Sequence, residues 1–136
     1  MSIITEKPDL SVVTAVTLTG ALTSIATVQL ALVGTVKTLS VSTIVASAGA
    51  SSLISFPAGT VPPTFLPTAG PTMFAIPVLT NTTTWAMGSL NILANGGVTI
   101  SAALNPTTTF TSGNVVGIGS TAGTATSVGT ATVSYV

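Results

Sequence analysis

Residues 56–100 read FPAGTVPPTFLPTAGPTMFAIPVLTNTTTWAMGSLNILANGGVTI, and their reading decides the fold. The stretch holds six of the eight prolines, the one Trp, three of the four Phe and two of the three Met. Its first third, 57–71, contains Pro57, Pro62, Pro63, Pro67 and Pro71, with Gly59 and Gly70 between them. Proline removes a backbone donor and fixes φ, so no regular helix or ladder fits there. The pattern predicts a long ordered surface loop with Val61, Phe65 and Leu66 turned inward. Beyond it the apolar residues alternate. A strand is expected over 73–79, with Pro77 allowed only at an edge or a bulge. Another is expected over 84–93, with Trp85 and Met87 on the core face. A register shift at Gly88 would let Leu90 and Ile92 continue that face. Ala94-Asn95-Gly96-Gly97 predicts a type I′ hairpin turn, because Asn-Gly suits positive φ values. Val98 and Ile100 then point inward on a strand over 98–102.

Outward from this stretch the text is Thr, Ser, Val, Ala and Gly. β-Branched residues favour strands. Strands are predicted over 11–18, ended by Gly20, and over Ile25–Val33, with Val28, Leu30 and Leu32 on one face. A third is predicted over 36–45, with a bulge near Lys37 and Thr38 and with Leu39 and Val41 buried. Further strands are expected over 51–56, over Val115–Ile118, and over 129–136, where Ala131, Val133 and Tyr135 share a face. Turns are expected over 46–50 and 81–83, and loops over 105–113 and 120–127. No helical period appears. Short strands at close spacing with turn residues between them read as an all-β fold, an antiparallel β-sandwich of jelly-roll type. A chain of 136 residues is one domain's worth. It divides into an extended N-terminal arm over 1–10 and a single β-sandwich domain over 11–136.

Composition narrows the chemistry. Charged residues make up 3% of the chain, against roughly 25% in an ordinary soluble domain. The four charges are Glu6, Lys7, Asp9 and Lys37, and the formal net charge is zero. No basic patch is present to draw in nucleic acid. There is no His, Cys or Arg. Disulfides and thiolate or imidazole metal sites are therefore excluded, and no cofactor is expected. A Ser hydroxyl would have only Lys7 or Lys37 as its base, so no enzymatic function is expected. Gly117-Ile-Gly119 lies in a β context with no helix after it, so these glycines mark turns rather than a phosphate loop. Asn81-Thr82-Thr83 matches the N-glycosylation pattern, read as a chance match. Mean hydropathy is +0.84, yet no run approaches the ~18 apolar residues of a membrane span. MSIITEKPDL has an early acidic residue and no apolar core after it, so no secretory signal is read there.

Phe56-Pro57-Ala58-Gly59-Thr60-Val61-Pro62 forms a Phe-Pro-x-Gly-x-x-Pro turn before a strand. Gly88-Ser89-Leu90-Asn91-Ile92, through Gly96 or Gly97 to Val98-Thr99-Ile100, forms a hairpin of the G-x-L-x-I…V-x-I kind. With the closing Thr-Val-Ser-Tyr-Val, this order resembles the small jelly-roll heads at phage tail-fibre tips and on other virion surface proteins. Those heads are similar to the trimeric globular heads of the complement and tumour-necrosis-factor type. The resemblance spans about residues 12–136 and implies a trimer.

A surface so poor in charge favours self-association. A homo-oligomer is therefore expected, with other capsid or virion proteins as further partners and a host surface receptor as a partner of the loops. A head with only a ten-residue arm favours a capsid decoration, spike or minor capsid protein located on the virion. The alternative is an adhesin head that binds a host receptor or glycan. Ile3, Ile4, Glu6, Lys7, Pro8 and Asp9 of the arm are the candidate anchoring residues.

Overall fold

The computed structural model describes residues 12–20, 25–82, 84–118 and 131–136. These residues form eleven strands. In chain order they are β1 (Val12–Thr17), β2 (Thr19–Gly20), β3 (Ile25–Val33), β4 (Val36–Val41), β5 (Ile44–Ser47) and β6 (Ile54–Phe56). After a 3-10 turn at Pro63–Phe65 come β7 (Thr72–Asn81), β8 (Thr84–Ile92), β9 (Val98–Ser101), β10 (Val115–Ile118) and β11 (Ala131–Tyr135). They build two sheets, of order β1-β3-β4-β11 and β2-β6-β9-β8-β7-β10-β5. Every pairing between them is antiparallel. The fold is thus an antiparallel β-sandwich. Eleven strands exceed the eight of a two-Greek-key jelly roll. The larger sheet contains a local meander, β7–β8–β9.

The core follows from the two-residue period of a strand. Val28 and Leu30 of β3 and Leu39 and Val41 of β4 point inward from the small sheet. From the large sheet come Ile54, Ile76, Val78, Leu90, Ile100 and Ile118, and one apolar cluster joins both inner faces. Each such side chain contributes about 1.5–3 kcal/mol when fully buried. On the outer face of the small sheet, hydroxyls pair across strands: Thr38 with Ser134 at 3.3 Å and Ser40 with Thr132 at 3.1 Å.

Several expectations need correcting. The predicted strand over 36–45 is two strands in different sheets, because the chain leaves the small sheet after Val41 and joins the large one at Ile44. No bulge occurs at Lys37 or Thr38: β4 pairs in unbroken register with β3 and with β11. The turn expected over 46–50 begins later, since Ala46 and Ser47 belong to β5. The strand expected over 51–56 shrinks to β6, with Ser52 making a single bridge to Phe110. Gly20 does not end the first strand. The chain changes sheets at the fully buried Leu18, and Gly20 lies within β2.

Pro77 sits inside β7, not at a bulge; the irregularity in that pair lies between Leu79 and Asn81. On its other flank β10 pairs only with Val78 and Leu79. Pro77 therefore lies just past the last described ladder position, where a missing donor is tolerated. The loop over 57–71 is as expected, with Val61 and Phe65 buried and Leu66 half-buried. The expected arm over 1–10, the turn residue Thr83 and the loop over 120–127 fall outside the described residues.

Candidate functional site

The stretch 56–100 forms a clasp. The Gly59 N–H donates to the Asn95 carbonyl at 3.0 Å, and the Val61 N–H donates to the Gly96 carbonyl at 2.8 Å. The β8–β9 hairpin tip is thereby tied to the start of the proline-rich loop. The tip is not a type I′ turn. The Gly96 N–H donates to the Leu93 carbonyl, and Gly96 alone in the tip has positive φ, at 81°. Asn95 keeps a negative φ, and its Oδ1 accepts the Gly97 N–H at 2.9 Å. A type I turn closed by a left-handed glycine meets the same need with one positive φ instead of two.

The far end of the loop closes one end of the sandwich. Lys37 Nζ donates to the Leu66 carbonyl at 2.7 Å and lies 3.4 Å from Thr68 Oγ1. The Tyr135 hydroxyl donates to the Phe65 carbonyl at 2.8 Å. The Thr68 N–H donates to the Val136 carbonyl. Lys37 and Tyr135 are register partners on β4 and β11, so the two donors approach neighbouring carbonyls side by side. Burial pushes the Tyr135 hydroxyl up to about 12. Lys37 is the one formally charged side chain among the described residues, and its role there is to hold the loop.

The outer face of the large sheet differs most from expectation. No register shift occurs at Gly88, which pairs with Ile76 in unbroken order. Alternation then carries Gly88 inward with Leu90 and Ile92, and carries Trp85 and Met87 outward with Ser89 and Asn91. Gly88 has to be glycine because an added Cβ would meet the Ser101 carbonyl and both Val78 methyl groups. Trp85 is half-buried and Met87 is 51% exposed. The Trp85 Nε1–H is enclosed without a hydrogen-bond partner among the described residues. Met73 and Pro77 on β7 share this face with Met87, with no charge near them among the described residues.

Further along the same face lies a cleft of ≈ 420 Å³. Its floor includes Asn91 and Thr99, register partners on β8 and β9. Leu53, Met73, Leu93 and two prolines, Pro71 and Pro106, supply apolar walls. Asn91 and two serines beside the floor form a chain of hydrogen bonds with a fixed direction. Ser101 Oγ lies 2.6 Å from the Ala103 carbonyl, which only accepts, so Ser101 donates there. Ser89 Oγ then donates to Ser101 Oγ, and Asn91 Nδ2 donates to Ser89 Oγ at 3.2 Å. The parity that places Asn91 on this face was readable backwards from Leu90 and Ile92. Nothing in the sequence marks the loop after β9 as the second wall.

The arm residues Ile3, Ile4, Glu6, Lys7, Pro8 and Asp9 lie outside the described residues. Among the described residues no group of three or more His, Cys, Asp or Glu is placed to hold a metal, and no helix is long and apolar enough to cross a membrane. No protein-family model and no curated protein matches the chain.

Proposed function

We propose that this chain is a structural protein of a virus particle. In this reading it is an oligomeric β-sandwich, trimeric by its resemblance to tail-fibre heads, set on the virion surface as a decoration, spike or minor capsid component. It works by binding other copies and its particle, not by chemistry.

The described surface supports this reading. Its single charge, Lys37, is engaged with a loop carbonyl. Met73, Met87 and Leu104 are each half exposed. A free monomer usually carries more charge and fewer exposed large apolar side chains. Contact with further copies would remove those side chains from water at about 25 cal/mol per Å² of apolar area.

The test of location is immunogold labelling of intact particles with antibody raised against the folded chain. Dense, regular label on the particle surface is expected. Label confined to the soluble fraction of the host cell would overturn the virion role.

A further inference from the structure

We propose that the cleft over Asn91 binds a neutral aromatic group carrying one hydrogen-bond donor, presented as a Tyr or Trp side chain of a protein partner. This inference goes beyond the structural role and holds whether or not the chain sits on a virion.

The first observation is the acceptor at the floor. Asn91 is 7% exposed. Its Nδ2 donates to Ser89 Oγ and lies 3.4 Å from the Thr99 carbonyl. The amide cannot be turned over. With Ser101 committed to the Ala103 carbonyl, Ser89 must donate to Ser101 and accept from Asn91. The Asn91 Oδ1 therefore points away from Ser89. No described donor reaches it, and it is not sealed from solvent as Trp85 Nε1 is. An amide oxygen held by its own –NH2 group in a largely buried position is set to accept from a ligand.

The second observation is the character of the walls. Leu53, Met73 and Leu93 are apolar, and among the described residues no charged side chain lines the cleft. An ionic ligand would leave its charge unpaired on entry. A sugar would bring several hydroxyls to a floor whose side-chain partners are Asn91 and Thr99; the Thr72 hydroxyl already donates to the Gly70 carbonyl at 2.9 Å. Proline faces pack well on aromatic rings, and a thioether sulfur makes favourable contact at ring edges. Pro71, Pro106 and Met73 together suit a flat ring.

The third observation is that the rims are set before binding. Asn105 Oδ1 accepts from the Thr107 N–H at 3.0 Å and from its hydroxyl at 2.8 Å, which fixes the turn carrying Pro106. Pro71 follows Gly70, whose φ of 94° and bond to Thr72 fix the other rim. A preformed site loses less conformational freedom on binding. The cleft opens on the sheet surface, and its ≈ 420 Å³ lies within the usual range for ligand sites. A ring carried on a polypeptide can therefore enter while its backbone stays outside.

The test is an NMR titration of the isotope-labelled full chain with p-cresol, toluene and N-acetyl-tyrosine amide. p-Cresol should bind several-fold to about tenfold more tightly than toluene, the worth of one net hydrogen bond. It should also shift the Asn91 side-chain amide signals. N-acetyl-tyrosine amide should bind at least as well as p-cresol. Asn91→Leu should abolish the cresol preference. Met73→Ala should weaken both ring ligands and keep their ratio, and it removes no buried hydrogen bond if the Asn91 variant fails to fold. Equal affinity for cresol and toluene in the unmodified chain, or shifts that map away from the cleft, would overturn the site. Binding of cresol with exclusion of the tyrosine amide would overturn the protein partner.

Discussion

Gly96→Val is expected to destabilise the chain by roughly 3–5 kcal/mol, a large share of the about 5–15 kcal/mol that domains of this size have in all. Two costs combine. Gly96 has φ of 81°, a left-handed backbone that a β-branched residue resists strongly. An added Cβ would also run into the Val61 carbonyl, the residue whose N–H donates to Gly96 itself. Backbone on both sides leaves no flexible side chain to give way, so the clasp must open. Two nearby changes calibrate the effect. Gly34→Ala bears only the backbone strain, because its φ is 62° and nothing lies within 4 Å of its Cβ. Gly97→Val keeps an allowed φ and meets Asn95 Oδ1 and the Phe56 carbonyl less closely. Urea unfolding should rank the losses Gly96→Val above Gly97→Val and Gly34→Ala. Normal stability of Gly96→Val would place the hairpin tip elsewhere.

Above pH 10 the unmodified chain is expected to lose stability that Tyr135→Phe does not lose. Burial raises the Tyr135 pKa from 10.0 to about 12. Below pH 10 the folded and unfolded chains both hold the phenol proton, and the contribution is complete. As pH rises past 10 the unfolded chain releases its proton first, so unfolding becomes more favourable. The loss is completed near pH 12, where the folded chain also ionises. At about 1.4 kcal/mol per pKa unit, the fall is of order 2–3 kcal/mol. Ionisation would also remove the donor that satisfies the Phe65 carbonyl. Tyr135→Phe should cost about 1–2 kcal/mol at neutral pH, from that unsatisfied carbonyl. Its decline above pH 10 should then be shallower. Urea midpoints between pH 8 and 12 check this. Parallel pH profiles for the two proteins would contradict it.

The parts of the fold set by local chemistry were legible. Strand Ile25–Val33 and strand Val115–Ile118 fall where alternation and bracketing turn residues put them. The proline-rich loop and its buried Phe65 follow from missing donors and fixed φ. Misreadings came where one residue's usual habitat was set above the period. Trp85 was expected inside because large aromatic side chains usually are. Keeping it there required a shift at Gly88 that the sheet does not contain. Strict alternation from Ile92 back to Ala86 would have placed Trp85 and Met87 outside. The break between β4 and β5 was harder to see, because Ser42 and Thr43 are good strand residues. Only the change of sheet, a long-range event, shows that they form a crossing. The cleft is likewise a tertiary product: Asn91 is local, but its walls come from the segments before β6, before β7 and after β9.

The claim that this charge-poor sandwich acts through association of its own copies is tested most directly by sedimentation velocity on the unmodified full chain at micromolar concentration and physiological salt. One discrete species is expected at a multiple of the 13.3 kDa chain mass, three being the number that the tail-fibre resemblance implies. A stable, monodisperse species of 13.3 kDa across that concentration range would contradict it.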